Sequence, residues 1–181
     1  PCYLRLGKAG EPVVHDEPPP FTVGKAITLS RGSEVTFVST GGMLAAAVQA
    51  AEQLGQTGLS VGVVSMPTVK PLDADCLRAV AKQCELIVTI EEHNVIGGLG
   101  GAVSEVLVGV HGSQVGLKRV GVQDRFYEEI GSQEYLRAQT GLTVEQLVDA
   151  AETGLAERRL TNGQPEKPIR KQRESATRGN A

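Results

Sequence analysis

The sequence contains no tryptophan, and aromatic residues make up only 3% of its 181 residues. Hydrophobic residues nevertheless account for 40% of the chain. The core must therefore be built from valine, leucine, isoleucine and alanine, a composition that suits layered α/β proteins. The length is enough for one domain of ordinary size with a buried core.

Cysteines and long apolar runs are also scarce. Of the three cysteines, Cys76 and Cys84 lie eight residues apart on one predicted helix. That spacing corresponds to about 12 Å, which is too far for a disulfide. These cysteines predict a reduced, cytoplasmic protein. No apolar run approaches the roughly 18 residues of a membrane-spanning helix, and no signal-peptide pattern is present, so we expect no membrane association.

Basic charge is concentrated at one end of the chain. Residues 161–181 carry five basic and two acidic side chains, whereas the whole sequence has a net charge of −3, so residues 1–160 carry −6. An acidic body argues against a nucleic-acid surface, and we expect no nucleic-acid partner. The segment 161–181 has little to bury and is predicted to be a loosely held basic polar tail.

The most informative stretch is residues 85–101. A β-branched and aliphatic run, Leu86–Glu91, is typical of a strand that is buried on both faces of a parallel sheet. Glu91, Glu92 and His93 follow at its carboxyl end, and a glycine-rich turn then opens a helix. Because ligands of open α/β sheets bind at the carboxyl ends of strands, this edge is the candidate functional site.

Strands and helices alternate along the rest of the chain. A hairpin is predicted from Ala26–Ser30 and Glu34–Thr40, with further strands over Leu59–Ser65 and Leu117–Val122. Apolar positions at helical spacing predict helices near residues 43–54, 73–84, 98–110, 133–140 and 143–159, with Asp73 and Thr143 as N-caps and Gly141 as a C-cap. This order predicts a three-layer α/β/α fold with a five-stranded mixed, mostly parallel sheet.

The beginning of the chain has a different pattern. Cys2–Leu6 alternates like a strand, and the proline-rich residues that follow favour an extended spacer. We therefore divide the chain into the last strand of a preceding domain (1–8), a linker (9–20), a domain (21–160) and the tail (161–181).

Several short motifs occur in one order along the sequence. They are Gly24-Lys25-Ala26, Val35–Ser39, Pro67–Asp73, Thr89–His93 with Gly97–Gly100, and Asp124–Phe126. Together they resemble the C-terminal domain of the transketolase family over roughly residues 21–155. Pro1–Gly7 is similar to the closing strand of that family's middle, pyrimidine-binding domain. Split transketolases are favoured, 1-deoxyxylulose-5-phosphate synthase is an alternative, and 2-oxo-acid dehydrogenase β-subunits match less well around His93.

This resemblance implies part of an enzyme that uses thiamine diphosphate and Mg²⁺ to move a two-carbon ketol unit between sugar phosphates. The family's magnesium–diphosphate motif begins Gly-Asp-Gly, which this sequence lacks, and the family's cofactor-activating glutamate lies in the middle domain. We therefore expect no cofactor and no catalytic residue on this chain alone. Its expected role is architecture and subunit contacts with the other domains or an N-terminal subunit, in a homodimer of the complete enzyme. The alternative role is partner docking, as in a 2-oxo-acid dehydrogenase β-subunit.

The resemblance also assigns a role to Arg5. In the family an arginine on this strand binds the substrate phosphate, and Arg5 stands at the matching position. A guanidinium suits that role because it grips a phosphate through two parallel hydrogen bonds. The competing interpretation is a surface arginine at a domain edge.

The residues around His93 admit functional and structural interpretations. A neighbouring carboxylate can fix the tautomer of His93 for acid–base chemistry, but we favour an interface or structurally buried histidine. Glu91 and Glu92 are adjacent on a strand and should point to opposite faces, which argues against a paired-carboxylate site.

Gly97, Gly98 and Gly100 suggest a nucleotide-binding loop only superficially. The strict Gly-x-Gly-x-x-Gly spacing requires glycine at the position of Val103. We favour a tight turn with close helix packing as the role of these glycines. Binding of an anion at the helix N-terminus is the alternative. The histidines and cysteines lack the spacing of a ligand set, so no metal site is predicted.

Overall fold

The computed structural model describes residues 1–7, 10–112 and 114–163, which form one five-stranded sheet covered by helices. The strands are β1 (Ile27–Ser30), β2 (Val35–Ser39), β3 (Val61–Ser65), β4 (Leu86–Asn94) and β5 (Gly116–Val122). Their order across the sheet is β1-β3-β2-β4-β5. β1 runs antiparallel to its neighbour and the other pairs are parallel, so the prediction of a mixed, mostly parallel sheet is confirmed.

The helices lie on both faces of the sheet. They are α1 (Leu44–Gln56, after a short 3₁₀ turn at Gly41–Met43), α2 (Ala74–Ala81), α3 (Leu99–Val108), α4 (Gln133–Thr140) and α5 (Val144–Thr161). One apolar core joins α1 and α5 to one face, and a second joins α2 and α3 to the other. The predicted three-layer fold is therefore confirmed. Both cores are built almost wholly from aliphatic side chains, as the composition requires.

The predicted β1–β2 hairpin is wrong. β1 pairs with β3, with Ile27 opposite Ser65. β2 is flanked by β3 on one side and β4 on the other, so neither of its edges is open to β1. The connection from β1 to β2 instead crosses the start of β3, where the backbone of Gly32 packs on that of Gly62. A Cβ at position 32 would lie 2.2 Å from the Gly62 nitrogen, which explains why this crossing needs glycine.

The predicted helix caps are confirmed. The Asp73 side chain accepts a hydrogen bond from the Cys76 amide at the start of α2, and Thr143 and Gln146 form a capping box at the start of α5. Gly141 ends α4 in the left-handed conformation. Strand β4 is three residues longer than predicted, because Asn94 still pairs with β5.

The amino end of the sheet is held by an ion cluster that the sequence did not suggest. Arg159, from the last turns of α5, is only 5% exposed. Its guanidinium donates to Glu85 at 2.9 and 3.0 Å and to Glu34 at 2.6 Å. Glu34 and Glu85 immediately precede β2 and β4, so one arginine ties the last helix to two neighbouring strands.

The segment before the domain differs from its prediction. Residues 1–7 form no strand and their side chains are exposed. Pairing with a sheet outside this chain stays a prediction. Of the predicted tail, residues 161–163 complete and follow α5, and residues 164–181 lie outside the described part of the chain.

Candidate functional site at the carboxyl edge of the sheet

The carboxyl ends of β2 and β4 form the topological switch point of the sheet. After β2 the chain continues to β3 on one side, and after β4 it continues to β5 on the other. Connections therefore diverge from this point, which is the position at which ligands of open α/β sheets bind. The candidate residues Arg5, Glu91, Glu92, His93, Gly97, Gly98 and Gly100 lie at or beside this edge.

Glu91 is the buried anion of this edge, at 2% exposure. Its two carboxylate oxygens accept hydrogen bonds from the amides of Leu99 at 2.6 Å and Gly100 at 2.7 Å. These amides belong to the first turn of α3, where unpaired N–H groups and the helix dipole favour negative charge. The chain itself therefore supplies the anion at the start of this helix.

The glycine at position 98 makes this cap sterically feasible. A Cβ there would lie 2.0 Å from Glu91 Oε2 and 2.8 Å from His93 Nδ1. Gly98 therefore acts through close packing rather than by cradling a phosphate. Gly100 also packs tightly, since its Cβ would lie 2.9 Å from both Thr89 Oγ1 and the Arg119 side chain.

His93 is an exposed member of the edge. Its Nδ1 lies 2.8 Å from the Asn94 carbonyl oxygen and 3.8 Å from Glu91 Oε2. The shorter contact is the hydrogen bond, and it requires a proton on Nδ1. The ring is thereby oriented by the backbone, with Glu91 as a more distant neighbour whose oxygens are already engaged by α3.

Glu92 points to the opposite face from Glu91, as strand alternation predicts. Arg137 of α4 grips it from two nitrogens, with Nε 3.0 Å from Oε1 and Nη2 3.2 Å from Oε2. Gln133, one turn earlier on α4, donates to both oxygens at 3.1 and 3.2 Å. Burial raises the pKa of Glu92, but the hydrogen bonds from Arg137 and Gln133 outweigh it, so the pKa is lowered. The carboxylate is charged at neutral pH.

Arg5 reaches the same place from the start of the chain. Its Nη1 donates to the main-chain oxygen of Glu92 at 3.1 Å, and its side chain is exposed. The carboxylate of Glu11 also lies at this edge, close to Gly42 and Arg137. A Cβ placed on Gly42 would lie 2.9 Å from Glu11 Oε2 and 3.0 Å from Arg137 Nη2. Arg5 and Glu11 therefore contribute charged groups of both signs to the switch point.

The loop after β5 extends this edge with exposed apolar side chains. Asp124 accepts a hydrogen bond from Asn94 at 2.8 Å, which ties the loop to the end of β4. Phe126 is fully exposed and Ile130 is 96% exposed. Such large apolar groups on an otherwise polar edge are typical of a surface that contacts another protein.

Sequence reasoning missed Gln133 and Arg137. Both fall within a predicted helix, and their i, i+4 spacing puts them on one face. That spacing was the available signal, but nothing in the sequence said which strand end this face would meet. Only the packing of α4 beside β4 makes them partners of Glu92.

Two further properties bear on function. Within residues 1–7, 10–112 and 114–163 no group of three or more histidine, cysteine, aspartate or glutamate side chains is arranged to hold a metal ion. None of the helices in that part of the chain is long and apolar enough to cross a membrane.

Comparison with known proteins identifies relatives. A sequence model described as "Transketolase, C-terminal domain" matches residues 24–147. The chain is 33% identical over 151 residues to one subunit of the apulose-4-phosphate transketolase of Actinobacillus succinogenes, covering 83% of this chain and 48% of that protein. It is 40% identical over 151 residues to the 6-deoxy-6-sulfo-D-fructose transketolase subunit SqwH of Clostridium sp., and this match covers 83% of this chain and 46% of that subunit. The chain thus spans about half the length of these relatives.

Two other likenesses agree with these. The chain matches 1-deoxy-D-xylulose-5-phosphate synthase of Desulforudis audaxviator with 38% identity over 131 residues, covering 72% of this chain and 20% of the synthase. A solved structure, "Split gene transketolase, inactive beta4 tetramer", superimposes with a TM-score of 0.77 at 37% identity, covering 84% of this chain and 49% of the other. By its matched residues and its fold, this chain belongs to the transketolase C-terminal domain family.

Proposed function

We propose that this chain is the C-terminal part of a split transketolase, an enzyme that uses thiamine diphosphate and Mg²⁺ to move a two-carbon ketol unit between sugar phosphates. The observation that carries the proposal is the carboxyl edge: Arg5, which matches a phosphate-binding arginine of the family, lies at the switch point against Glu92. The two relatives that are named as transketolase subunits give independent support.

Neither the sequence motifs nor the residues that the structure describes fit the cofactor. The sequence has no Gly-Asp-Gly element, and the part of the chain with described coordinates offers no carboxylate set for a divalent ion. At the buried N-terminus of α3, the backbone amides already donate hydrogen bonds to the carboxylate of Glu91. We assign cofactor binding and catalysis to partner domains, and to this chain architecture, subunit contacts and one substrate-binding side chain.

Arg5 is the proposed phosphate ligand. Its side chain is exposed, and one of its five N–H groups is used in the contact with Glu92. An arginine held on one side by a carbonyl can offer its opposite edge to a phosphate through two parallel hydrogen bonds. His93 lies two residues after Glu91 at the same edge, and we assign it to the subunit interface rather than to catalysis.

The partners are the enzyme's other domains or an N-terminal subunit, in a homodimer of the complete enzyme. Exposed apolar side chains support a protein partner: Leu4 is 75% exposed, Leu6 is 77% exposed, and Phe126 and Ile130 are more exposed still. One related structure is described as a tetramer of β-subunits, which supports self-association.

The proposed division of the chain follows from the same picture. Residues 1–8 end the pyrimidine-binding domain, 9–20 are the linker, 21–160 are the C-terminal domain and 161–181 are a basic tail. We place the enzyme in the cytoplasm, where sugar phosphates are metabolised and free cysteines such as Cys76 and Cys84 stay reduced.

Reconstitution tests the proposal. The chain is combined with the cofactor-binding domains encoded upstream of it, or with an N-terminal transketolase subunit, and supplied with thiamine diphosphate and Mg²⁺. Ketol transfer from a ketose phosphate to an aldose phosphate is expected only in the combination, with each component alone inactive. Absence of transfer in every combination would refute the proposal.

The 38% identity to a synthase makes 1-deoxy-D-xylulose-5-phosphate synthase the second candidate. The same reconstituted enzyme separates the two functions by product. Formation of 1-deoxyxylulose 5-phosphate would assign the chain to the synthase, whereas transfer between sugars with no such product assigns it to a transketolase.

A further inference from the structure

Two arginines meet a single glutamate at the switch point. Arg137 binds the carboxylate of Glu92 with both ends of its guanidinium fork, at 3.0 and 3.2 Å. Arg5 binds the main-chain oxygen of the same residue at 3.1 Å. Among the residues with described coordinates, the carboxylate of Glu92 forms its ion pair with Arg137 and not with Arg5.

This division keeps the guanidinium of Arg5 off the carboxylate of Glu92. Gln133 also donates to Glu92, so the carboxylate has three side-chain nitrogen donors before Arg5 is considered. Glu92 and Arg137 are 26% and 20% exposed, whereas Arg5 is exposed to solvent. Glu92 and Arg137 therefore form a half-buried ion pair with no net charge, and the exposed cation Arg5 lies next to it.

Loss of Arg137 would change this balance. The carboxylate of Glu92 would remain charged with Arg5 as a neighbouring cation, since the charge of Arg5 already acts on it. A bidentate pair with the carboxylate is stronger than one bond to a neutral carbonyl. Arg5 would then turn to Glu92 and be withdrawn from solvent.

We propose that Arg137 is a positioning residue that neutralises Glu92 and thereby keeps Arg5 available for the terminal oxyanion of a sugar substrate, either a phosphate or a sulfonate. This inference rests on the proposed role of Arg5 in substrate binding. Arg137 itself does not touch the substrate. It acts by neutralising an internal anion that would compete with the substrate for Arg5.

A purely structural role for Arg137 makes a different prediction. Helix α4 has no fully buried residue, so polar contacts such as this pair contribute to its attachment to the sheet. If Arg137 only fastens α4, its loss should impair anionic donors and fructose alike, because a displaced helix does not distinguish the charge of the donor. If Arg137 shields Arg5 from Glu92, removing the charge of Glu92 restores Arg5. A loss confined to anionic donors in Arg137→Met, restored in the double variant Arg137→Met with Glu92→Gln, therefore separates the two roles.

The first measurement uses the complete reconstituted enzyme and three ketose donors that share one carbon skeleton: fructose 6-phosphate, 6-deoxy-6-sulfofructose and fructose. Arg137→Met should lower kcat/KM for the preferred anionic donor about tenfold, equivalent to ~1.4 kcal/mol, mostly through KM. It should leave the value for fructose unchanged. Adding Glu92→Gln should restore the anionic donor to within about twofold of the wild type. The anionic donor with the higher kcat/KM identifies the oxyanion as phosphate or sulfonate.

The second measurement needs no turnover. The Nε–H signal of Arg5 in the 181-residue chain is followed by NMR during titration with inorganic phosphate and, separately, methanesulfonate. The apparent Kd should rise in Arg137→Met and return in the double variant. Arg78→Met, an exposed arginine of α2 paired with Asp75, is the matched control and should change neither measurement.

The outcomes distinguish this inference from the proposed function. If Arg5→Met leaves the discrimination between anionic donors and fructose intact, the substrate role of Arg5 is wrong. If Arg5→Met abolishes it but Arg137→Met does not, only the shielding role of Arg137 is wrong. A double variant as impaired as Arg137→Met assigns Arg137 to structure alone and overturns the proposal.

Discussion

Replacing Glu91 by glutamine keeps the shape of the side chain but removes the charge that caps α3. The glutamine oxygen can still accept from one backbone amide, whereas its NH₂ group must face the other N–H donor. In the native protein both amides, those of Leu99 and Gly100, donate to carboxylate oxygens at 2.6 and 2.7 Å in a site that is 2% exposed. The substitution therefore weakens one hydrogen bond and leaves one buried donor without a partner.

The magnitude follows from these two changes. A hydrogen bond to a charged group contributes about 1.5–3 kcal/mol, a neutral one about 0.5–1.5 kcal/mol, and an unsatisfied buried donor costs about 1–3 kcal/mol. We expect Glu91→Gln to lower the free energy of unfolding by about 2–4 kcal/mol. For a domain of this size that corresponds to a Tm lower by roughly 5–15 °C.

Urea unfolding followed by circular dichroism measures the effect, and amide hydrogen exchange localises it. Exchange of the Leu99 and Gly100 amides should accelerate more than that of amides in α1. The matched control is Glu105→Gln, an exposed glutamate on the same helix, which should change stability by less than about 0.5 kcal/mol. If Glu91→Gln were as stable as this control, the carboxylate would not be what holds the start of α3.

Two further predictions concern other charged groups. Arg159→Met leaves two glutamates facing each other at the amino end of the sheet and should lower the free energy of unfolding by about 2–4 kcal/mol. The control Arg78→Met, at an exposed arginine, should lower it by less than about 0.5 kcal/mol. Equal effects of the two substitutions would show that the ion cluster does not stabilise the fold. For Asp73, burial raises the pKa, but hydrogen bonds from the Ala26 and Cys76 amides outweigh it and the pKa is lowered. Its stabilisation is therefore complete above the unfolded-state pKa and is lost as pH falls through the lower folded-state value. Asp73→Asn, which keeps a capping oxygen, should flatten the decline of stability between about pH 5 and pH 2, and an unchanged acid slope would contradict the assignment.

Much of the fold was readable because its signals are local. The helix caps at Asp73 and Thr143 depend on residues within three positions of each other, and both were predicted and confirmed. The buried run of β4 was likewise recognisable from consecutive apolar residues. The β1–β2 hairpin was wrong because adjacency in sequence favours a hairpin, whereas the pairing of β1 is decided by which strand edges remain open.

The candidate site was predicted only in part, because its contacts join segments that are distant in the sequence. Glu92 was singled out because it follows the central strand, but its partner Arg137 is 45 residues further along the chain. Glu91 was identified as a candidate site residue, yet its role as the cap of α3 depends on the close approach of Gly98. Contacts between distant segments carry no local signature, so neither relationship has a visible pattern in the sequence.

The amino-acid sequence by itself determined the α/β architecture, the strand end at which the charged residues cluster and the family resemblance, because hydrophobic periodicity, caps and motif order are written along the chain. Only the tertiary structure decided which charged side chains form hydrogen bonds or ion pairs with one another. It seats Glu91 on the amides of α3, matches Glu92 with Arg137, and leaves Arg5 as an exposed cation of the edge. The physical reason is that electrostatic pairing depends on distance in space, and the packing of helices on the sheet sets those distances.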